Sequence, residues 1–324
     1  MLPAAPVASA FASLRLHGKT SPMPLPRRRF LRQTSAAVGV VAGLPAVRSA
    51  TKSTSPPAPR DFTVGEVVDV LLGLVPGELP ADTVDTLKRG QRDTPCTGVV
   101  VTFMATVPVL EEAARRGANL VVTHEPTFYN HRDQVDALAD DPVYAAKRAL
   151  LERHGIAVFR FHDGYHRLAP DPVFRGFVRA MAWEPYAEAA ELDNAVVLPE
   201  ATPLRALARA MARQLGQPRL EYVGDPEQPC RRIGILPGAW GRERHLAFLG
   251  AGDIDVLIVG EAAEWEAVEY ARDAQALGLG RALVVVGHAV SEDPGVVDLG
   301  ELLRPLVPGL NVAHVRAGDP LVRV

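Results

Sequence analysis

Asn119-Leu120-Val121-Val122-Thr123-His124-Glu125-Pro126 is the stretch that decides the fold. Residues 119–122 read as a short strand, and Pro126 keeps the polar segment behind it from becoming helix. The same arrangement occurs twice more. An apolar run at 156–161 leads into His162-Asp163-Gly164-Tyr165-His166, and a run at 282–286 leads into Gly287-His288-Ala289-Val290-Ser291-Glu292. The runs are continuous rather than alternating, which is the pattern of strands covered on both faces.

Around these runs, strands alternate with helix patterns. Thr63, with Glu66 three residues on, reads as a capping box opening a helix over 64–74. A connection punctuated by Pro and Gly leads to a strand at 99–103. Helices follow over 109–116, 143–154 (closed by Gly155) and 172–181. The acidic, Ala-rich 184–193 reads as a seam. A second series has strands at 195–198, 220–223, 232–236, 256–259, 282–286 and 312–315. Its helices are expected over 204–215, 242–249, 263–277 and 297–304. Such alternation implies right-handed crossovers and an α/β fold with largely parallel sheets. The expected organisation is a first α/β lobe at 62–190 and a second α/β segment at 191–324, whose C-terminal part packs back on the first.

Residues 1–50 read as an address. Pro26-Arg27-Arg28-Arg29-Phe30-Leu31-Arg32, followed by the weakly apolar 36–47, matches a twin-arginine signal peptide. The expected cleavage lies between Ala46 and Thr51, and 51–61 form a Ser/Thr/Pro-rich linker. The expectation is a periplasmic or secreted protein with no stable membrane span once the signal is removed. A net charge of −3 gives no sign of nucleic-acid binding. The two cysteines, Cys96 and Cys230, read as separate thiols, and without a Cys-x-x-Cys motif a thiolate zinc site is not expected.

Imidazoles and carboxylates at three strand ends point to one metal site assembled from distant segments. These groups suit zinc, iron or manganese. Adjacent residues of an extended chain face opposite ways, so His124 and Glu125 need a turn to share a cavity. Otherwise only one of them binds. His288 and Glu292 share a face if a helical turn begins after Gly287, with Ser291 helping to cap it. His162 and His166 have the same spacing, with Gly164 making a loop equally plausible. Asp163 is placed to orient an imidazole. His131 reads as a residue of the pocket rim, a substrate binder or proton donor. Glu261 reads as a supporting carboxylate, an acid/base, or a helix N-terminal residue. His154, His245 and His314 read as structural. The turn Pro237-Gly238-Ala239-Trp240-Gly241 lacks the P-loop pattern, and there is no Gly-x-Ser-x-Gly elbow.

On these residues the chain resembles the Nif three-like family of dinuclear metal-centre proteins, over residues 62–324. Three places carry the likeness: 113–128, 161–166, and 255–261 together with 286–292. The last pair, with its Gly-His-x-x-Ser-Glu motif, is the most specific. The resemblance implies two α/β lobes with metal in the cleft between them and a toroidal hexamer. It implies metal ligands at His124, Glu125, His166, His288 and Glu292. Two positions depart from the family pattern, which has histidine at 125 and aspartate at 166. The inventory of three imidazoles and two carboxylates is unchanged by this exchange. Glu125 is expected to take over bridging duty, because one imidazole nitrogen cannot bind two ions. The centre is therefore mononuclear or altered in spacing.

The expected function is that of a metal-dependent hydrolase holding one or two divalent ions (Zn, Fe or Mn). The small-molecule substrate would be a phosphoester, a nucleotide-like ring or an amide. His131, His162, Asp163 and Glu261 are the candidates for moving protons. The alternatives are a non-enzymatic metal-binding or assembly protein, and a ligand-binding protein that holds no metal.

Overall fold

Val99–Thr102 (β2), Leu120–Thr123 (β3) and Ala157–Arg160 (β4) are buried at every position, so each must be covered on both faces. The computed structural model describes residues 61–187 and 194–321. The expected signal peptide and all of the linker but Asp61 lie outside the described residues. β2, β3 and β4 run parallel, with Thr102 beside Thr123 and Thr123 beside Arg160. Val312–His314 (β10) adds to β2 in parallel, and Leu87–Arg89 (β1) closes the other edge antiparallel to β4. β1 was hidden in the Pro/Gly-punctuated connection, because its three residues are only half-buried.

Helices cover both faces. Val64–Leu72 (α1) begins at the Thr63–Glu66 capping box and packs against one face. Leu110 and Ala113 of Val107–Arg115 (α2), with Tyr144 and Leu151 of Pro142–Arg153 (α3), cover the other. His154 is the C-cap of α3. A single turn, Asp163–His166 (α4), follows β4, and Pro172–Ala180 (α5) comes next.

After Glu184–Ala187 (α6) a second sheet has the order β5-β7-β8-β9-β6. Its centre is parallel: Pro229–Leu236 (β7), Val256–Val259 (β8) and Ala282–Val285 (β9). Ala195–Pro203 (β5) and Glu221–Val223 (β6) are antiparallel edges. α5 and Leu204–Gln214 (α7) cover one face, and Arg242–Ala251 (α8) and Glu269–Ala276 (α9) the other. The helix expected over 263–277 is instead divided: a π-turn at Glu264–Val268 precedes α9.

His288–Leu303 (α10) joins the two sheets. It leaves β9 of the second sheet, and its Val296, Leu299 and Leu303 pack into the core of the first before β10 pairs there. The sequence placed this helix at 297–304, starting after Pro294. The helix instead begins at His288 and runs through the proline. An interior proline costs ~3 kcal/mol. Packing offsets this cost: a Cβ on Gly176 of α5 would lie 2.4 Å from the Gly295 nitrogen, so the two helices touch backbone to backbone. Tyr165, fully buried, donates its hydroxyl to the Gly295 carbonyl at 2.6 Å. Among the described residues no helix is long and apolar enough to cross a membrane. Cys96 and Cys230 are both free and buried.

Candidate metal centre

The parallel register places the three polar motifs at the carboxyl ends of their strands, where open α/β sheets gather ligands. His124 and Glu125 follow β3. Their amides donate to the Thr102 and Phe103 carbonyls, so the chain turns there and both side chains join one group of potential ligands. His162 and His166 begin and end the turn α4. Asp85 fixes that turn by accepting the amides of His162, Asp163 and Gly164 at 2.7–2.8 Å. Burial pushes the Asp85 carboxyl up, against the pull of those three donors. His288 and Glu292 lie one turn apart at the start of α10, as the i,i+4 spacing anticipated. Ser291 is not a cap. It accepts the Gly238 amide at 2.9 Å and donates to the His288 carbonyl at 2.8 Å, tying the 237–241 turn to α10.

Four imidazoles are braced through Nδ1. His124 Nδ1 lies 3.2 Å from the Phe161 carbonyl, and His162 Nδ1 is 2.9 Å from Asp163 Oδ1. His166 Nδ1 is 3.0 Å from Asp171 Oδ2, and His288 Nδ1 is 3.4 Å from Glu261 Oε2. These partners are oxygens that accept, so they hold the ring proton on Nδ1 and leave Nε2 as a donor for a cation. Two clusters have metal-type spacing: His124, His162 and His166, and His124, Glu125 and Glu292. In each, the ligand atoms lie within 4.8 Å of one another. Glu292 Oε2 is 3.4 Å from His124 Nε2 and 3.3 Å from His288 Nε2. Glu125 Oε1 is 3.4 Å from His162 Nε2 and 3.7 Å from His288 Nε2.

The charges are arranged around this convergence. Burial and the neighbouring His166 and His162 hold His124 well below its ordinary pKa, hence neutral. Burial also opposes protonation of His288, but Glu261, Glu292 and Glu125 override it and raise the pKa to about 10, so a cation bound at its Nε2 takes the place of a proton. His166 is raised too, because Asp171, Glu292 and Glu125 outweigh burial. Glu125 is lowered despite burial by His162, His288 and Arg160. Asp163 is pulled down to about 2, against burial, by His162, the Thr83 hydroxyl and the Val84 amide. His131 is depressed by burial, Arg160 and His162.

Does a divalent cation fit these residues? Buried polar atoms are normally satisfied. His124 Nε2, His288 Nε2 and Glu292 Oε2 are buried with no hydrogen-bond partner, and Glu292 Oε2 lies within 3.4 Å of both nitrogens. A cation accepting all three would resolve the shared vacancy of partners, and the His/Glu donor set suits a borderline metal.

Every residue expected at the site lies at or beside it. His124, Glu125, His162, His166, His288 and Glu292 converge. His131 stands at the rim with its ring 5.9 Å from that of His162, and Asp163 and Glu261 stand behind imidazoles. A cavity of ≈ 530 Å³ opens over the cluster, walled also by Pro80, Arg167, Ala239 and Trp240. Trp240 was read only as part of a tight turn. Its indole N–H donates to the Pro237 carbonyl at 2.7 Å, and its ring sits 6.4 Å from that of His166. Arg160 was missed altogether. It is fully buried, donates to the His124 and His131 carbonyls, and pairs with Glu125 at 3.3 Å. A charged residue inside an apolar strand run was the available signal. His245 is buried in α8, and His314 pairs with Asp293 at 2.9 Å.

Two sheets joined by a shared helix, with histidines and glutamates gathered at their strand ends, define an α/β protein with a candidate metal centre. The chain belongs to the Duf34/NIF3 (NGG1p interacting factor 3) family, whose model matches residues 62–319. A curated relative, a GTP cyclohydrolase 1 type 2 homolog from Clostridium perfringens (strain 13 / Type A), is 22% identical over 254 residues, covering 74% of this chain and 91% of the relative. The fold is similar to that of a Bacillus cereus protein related to NIF3 (TM-score 0.66, 16% identity, 82% of this chain and 100% of that one). It is also similar to the Staphylococcus aureus hypothetical protein SA1388 (TM-score 0.64, 17% identity, 82% and 100%).

Proposed function

We propose that this protein is a metal-dependent hydrolase acting on a small phosphoester, nucleotide-like or amide substrate. The observation that carries this reading is the convergence of three buried, partnerless atoms, His124 Nε2, His288 Nε2 and Glu292 Oε2, beneath an open cavity. His124, Glu125, His162, His166, His288 and Glu292 would hold one or two divalent ions. An ion bound there supplies Lewis acidity, lowering the pKa of water toward neutrality and polarising a phosphoryl or carbonyl oxygen.

The remaining residues divide the work. His131, its ring 5.9 Å from that of His162 and its pKa depressed, is neutral near pH 7 and takes up a proton at the cavity mouth. Asp163 stays ionised and orients His162 rather than shuttling a proton. Glu261 does the same for His288. His162 belongs with the ligands on this reading, since its Nε2 faces Glu125 while its Nδ1 is held. Trp240 and Arg167 line the wall a substrate would meet. We further propose export through the twin-arginine route and assembly into a homo-oligomer, a hexamer by family resemblance.

The test is a hydrolase screen with aryl phosphate, nucleotide and amide substrates, with and without added Zn, Mn or Fe. His288→Ala serves as the control. Metal-dependent turnover that this variant loses supports the reading. Bound metal with no turnover on any class supports the alternative of a non-enzymatic metal-binding protein, which the same cluster would serve.

A further inference from the structure

α7 carries Arg205, Arg209 and Arg213 at i, i+4 and i+8, so all three share one face, while Leu207, Met211 and Ala212 are buried against the second sheet. The helix contains no aspartate or glutamate. The turn behind it adds a fourth arginine. Gly216, with φ +66°, ends the helix, the Gln217 amide returns to the Ala212 carbonyl at 2.8 Å, and Arg219 follows. All four arginines line one cavity of ≈ 520 Å³, which Leu220 and Tyr222 help to wall.

Exposed arginines on several other helices are neutralised by their neighbours: Arg115 and Arg116 by Glu112, Arg179 by Asp298, and Arg304 by Glu301. On α7 Glu227 does this for Arg205 alone, at 3.6 Å. Among the described residues Arg209, Arg213 and Arg219 have no ion-pair or hydrogen-bond partner. Like charges one helical turn apart repel, so the stripe works against the helix that carries it. A guanidinium is planar and offers paired donors that match phosphate oxygens. Successive arginines of the stripe stand about 6 Å apart along the helix axis, within reach of one small ligand. A cavity of this size suits a small molecule. The chain as a whole carries a net charge of −3, so the positive field is local and a long polyanion is disfavoured. We infer that this face of α7, together with Arg219, binds a compact anion carrying two or three linked phosphate groups. None of the residues lining it lines the cavity over the metal centre, so the two sites are separate. The phosphates belong to an inorganic anion or to the tail of a nucleotide, whose base would meet Leu220 and Tyr222.

The experiment is calorimetry on the protein as purified, titrated at low salt with inorganic triphosphate and, separately, with adenosine triphosphate. Wild type is compared with the double variants Arg209→Gln/Arg213→Gln and Arg115→Gln/Arg116→Gln, and with His288→Ala. Circular dichroism checks that each variant is folded. Wild type should bind triphosphate saturably, with a Kd below about 1 mM. Arg209→Gln/Arg213→Gln should weaken that binding at least about tenfold. Arg115→Gln/Arg116→Gln makes the same change in net charge and should stay within about twofold of wild type. His288→Ala should keep the arginine-dependent binding, which separates this site from the metal centre. Equal affinities for the two ligands support an inorganic anion, and tighter binding of adenosine triphosphate supports a nucleotide. No saturable binding of either, an affinity unchanged in Arg209→Gln/Arg213→Gln, or an equal loss in Arg115→Gln/Arg116→Gln would overturn the inference. So would a changed oligomeric state of Arg209→Gln/Arg213→Gln in sedimentation, which would assign the face to a second copy of the chain.

Discussion

Arg160 Nη2 lies 3.3 Å from Glu125 Oε2, and both side chains are buried at the floor of the centre. The guanidinium also donates to the His124 and His131 carbonyls, so one side chain holds the 124–131 segment and balances a charge within it. Removing one partner of a buried pair leaves the other uncompensated and typically costs ~3–5 kcal/mol. Arg160→Met should therefore lower stability to urea by about that amount, and Arg160→Lys by less. Denaturation midpoints on the metal-free protein check this. A loss under about 1 kcal/mol for Arg160→Met would show that Glu125 finds another partner.

Gly238 tests the turn that seats Glu292. Its φ is +78°, and a Cβ there would stand 1.9 Å from Glu292 Oε1. Gly241 has the same φ of +78° with nothing within 4 Å. Alanine at either position incurs the left-handed backbone penalty, about 1–2 kcal/mol. Only Gly238→Ala should also lower metal affinity, by about tenfold or more. Equal metal affinities in the two variants, measured by calorimetry, would contradict the placement of Glu292.

Lys147 supplies a pH dependence away from the centre. It is buried, donates to the Thr127 carbonyl at 2.6 Å, and sits over the Phe128 and Tyr129 rings. Burial depresses its pKa to about 8, against the pull of Asp133. The unfolded value is about 10.4. Between those values the unfolded chain binds the extra proton, so stability from this group is lowest below pH 8 and rises from about pH 8 to 10.4. Unfolding free energies at pH 7 and pH 10 should differ more for wild type than for Lys147→Met. Identical pH slopes would sink the assignment.

Much of the centre was legible because each motif ends a doubly buried strand. An apolar run that stops at His-Glu-Pro or Gly-His can be read without knowing its neighbours. The i,i+4 pairing of His288 with Glu292 followed from spacing alone. What escaped depended on contacts between distant segments. Asp85 sits in a stretch with no periodicity, yet it anchors α4. The helix expected over 297–304 begins instead at His288, and the contact of Gly295 with Gly176 helps it continue through Pro294. Arg160 was absorbed into the strand run 156–161, although its charge inside that run was the visible sign of a buried partner.

The centre itself is tested most directly by counting metal. Elemental analysis of the protein, purified without chelator, should give between about one and two divalent ions per chain. His288→Ala should hold clearly less metal than wild type. Less than about half an ion per wild-type chain, unchanged after incubation with zinc or manganese, would contradict the account.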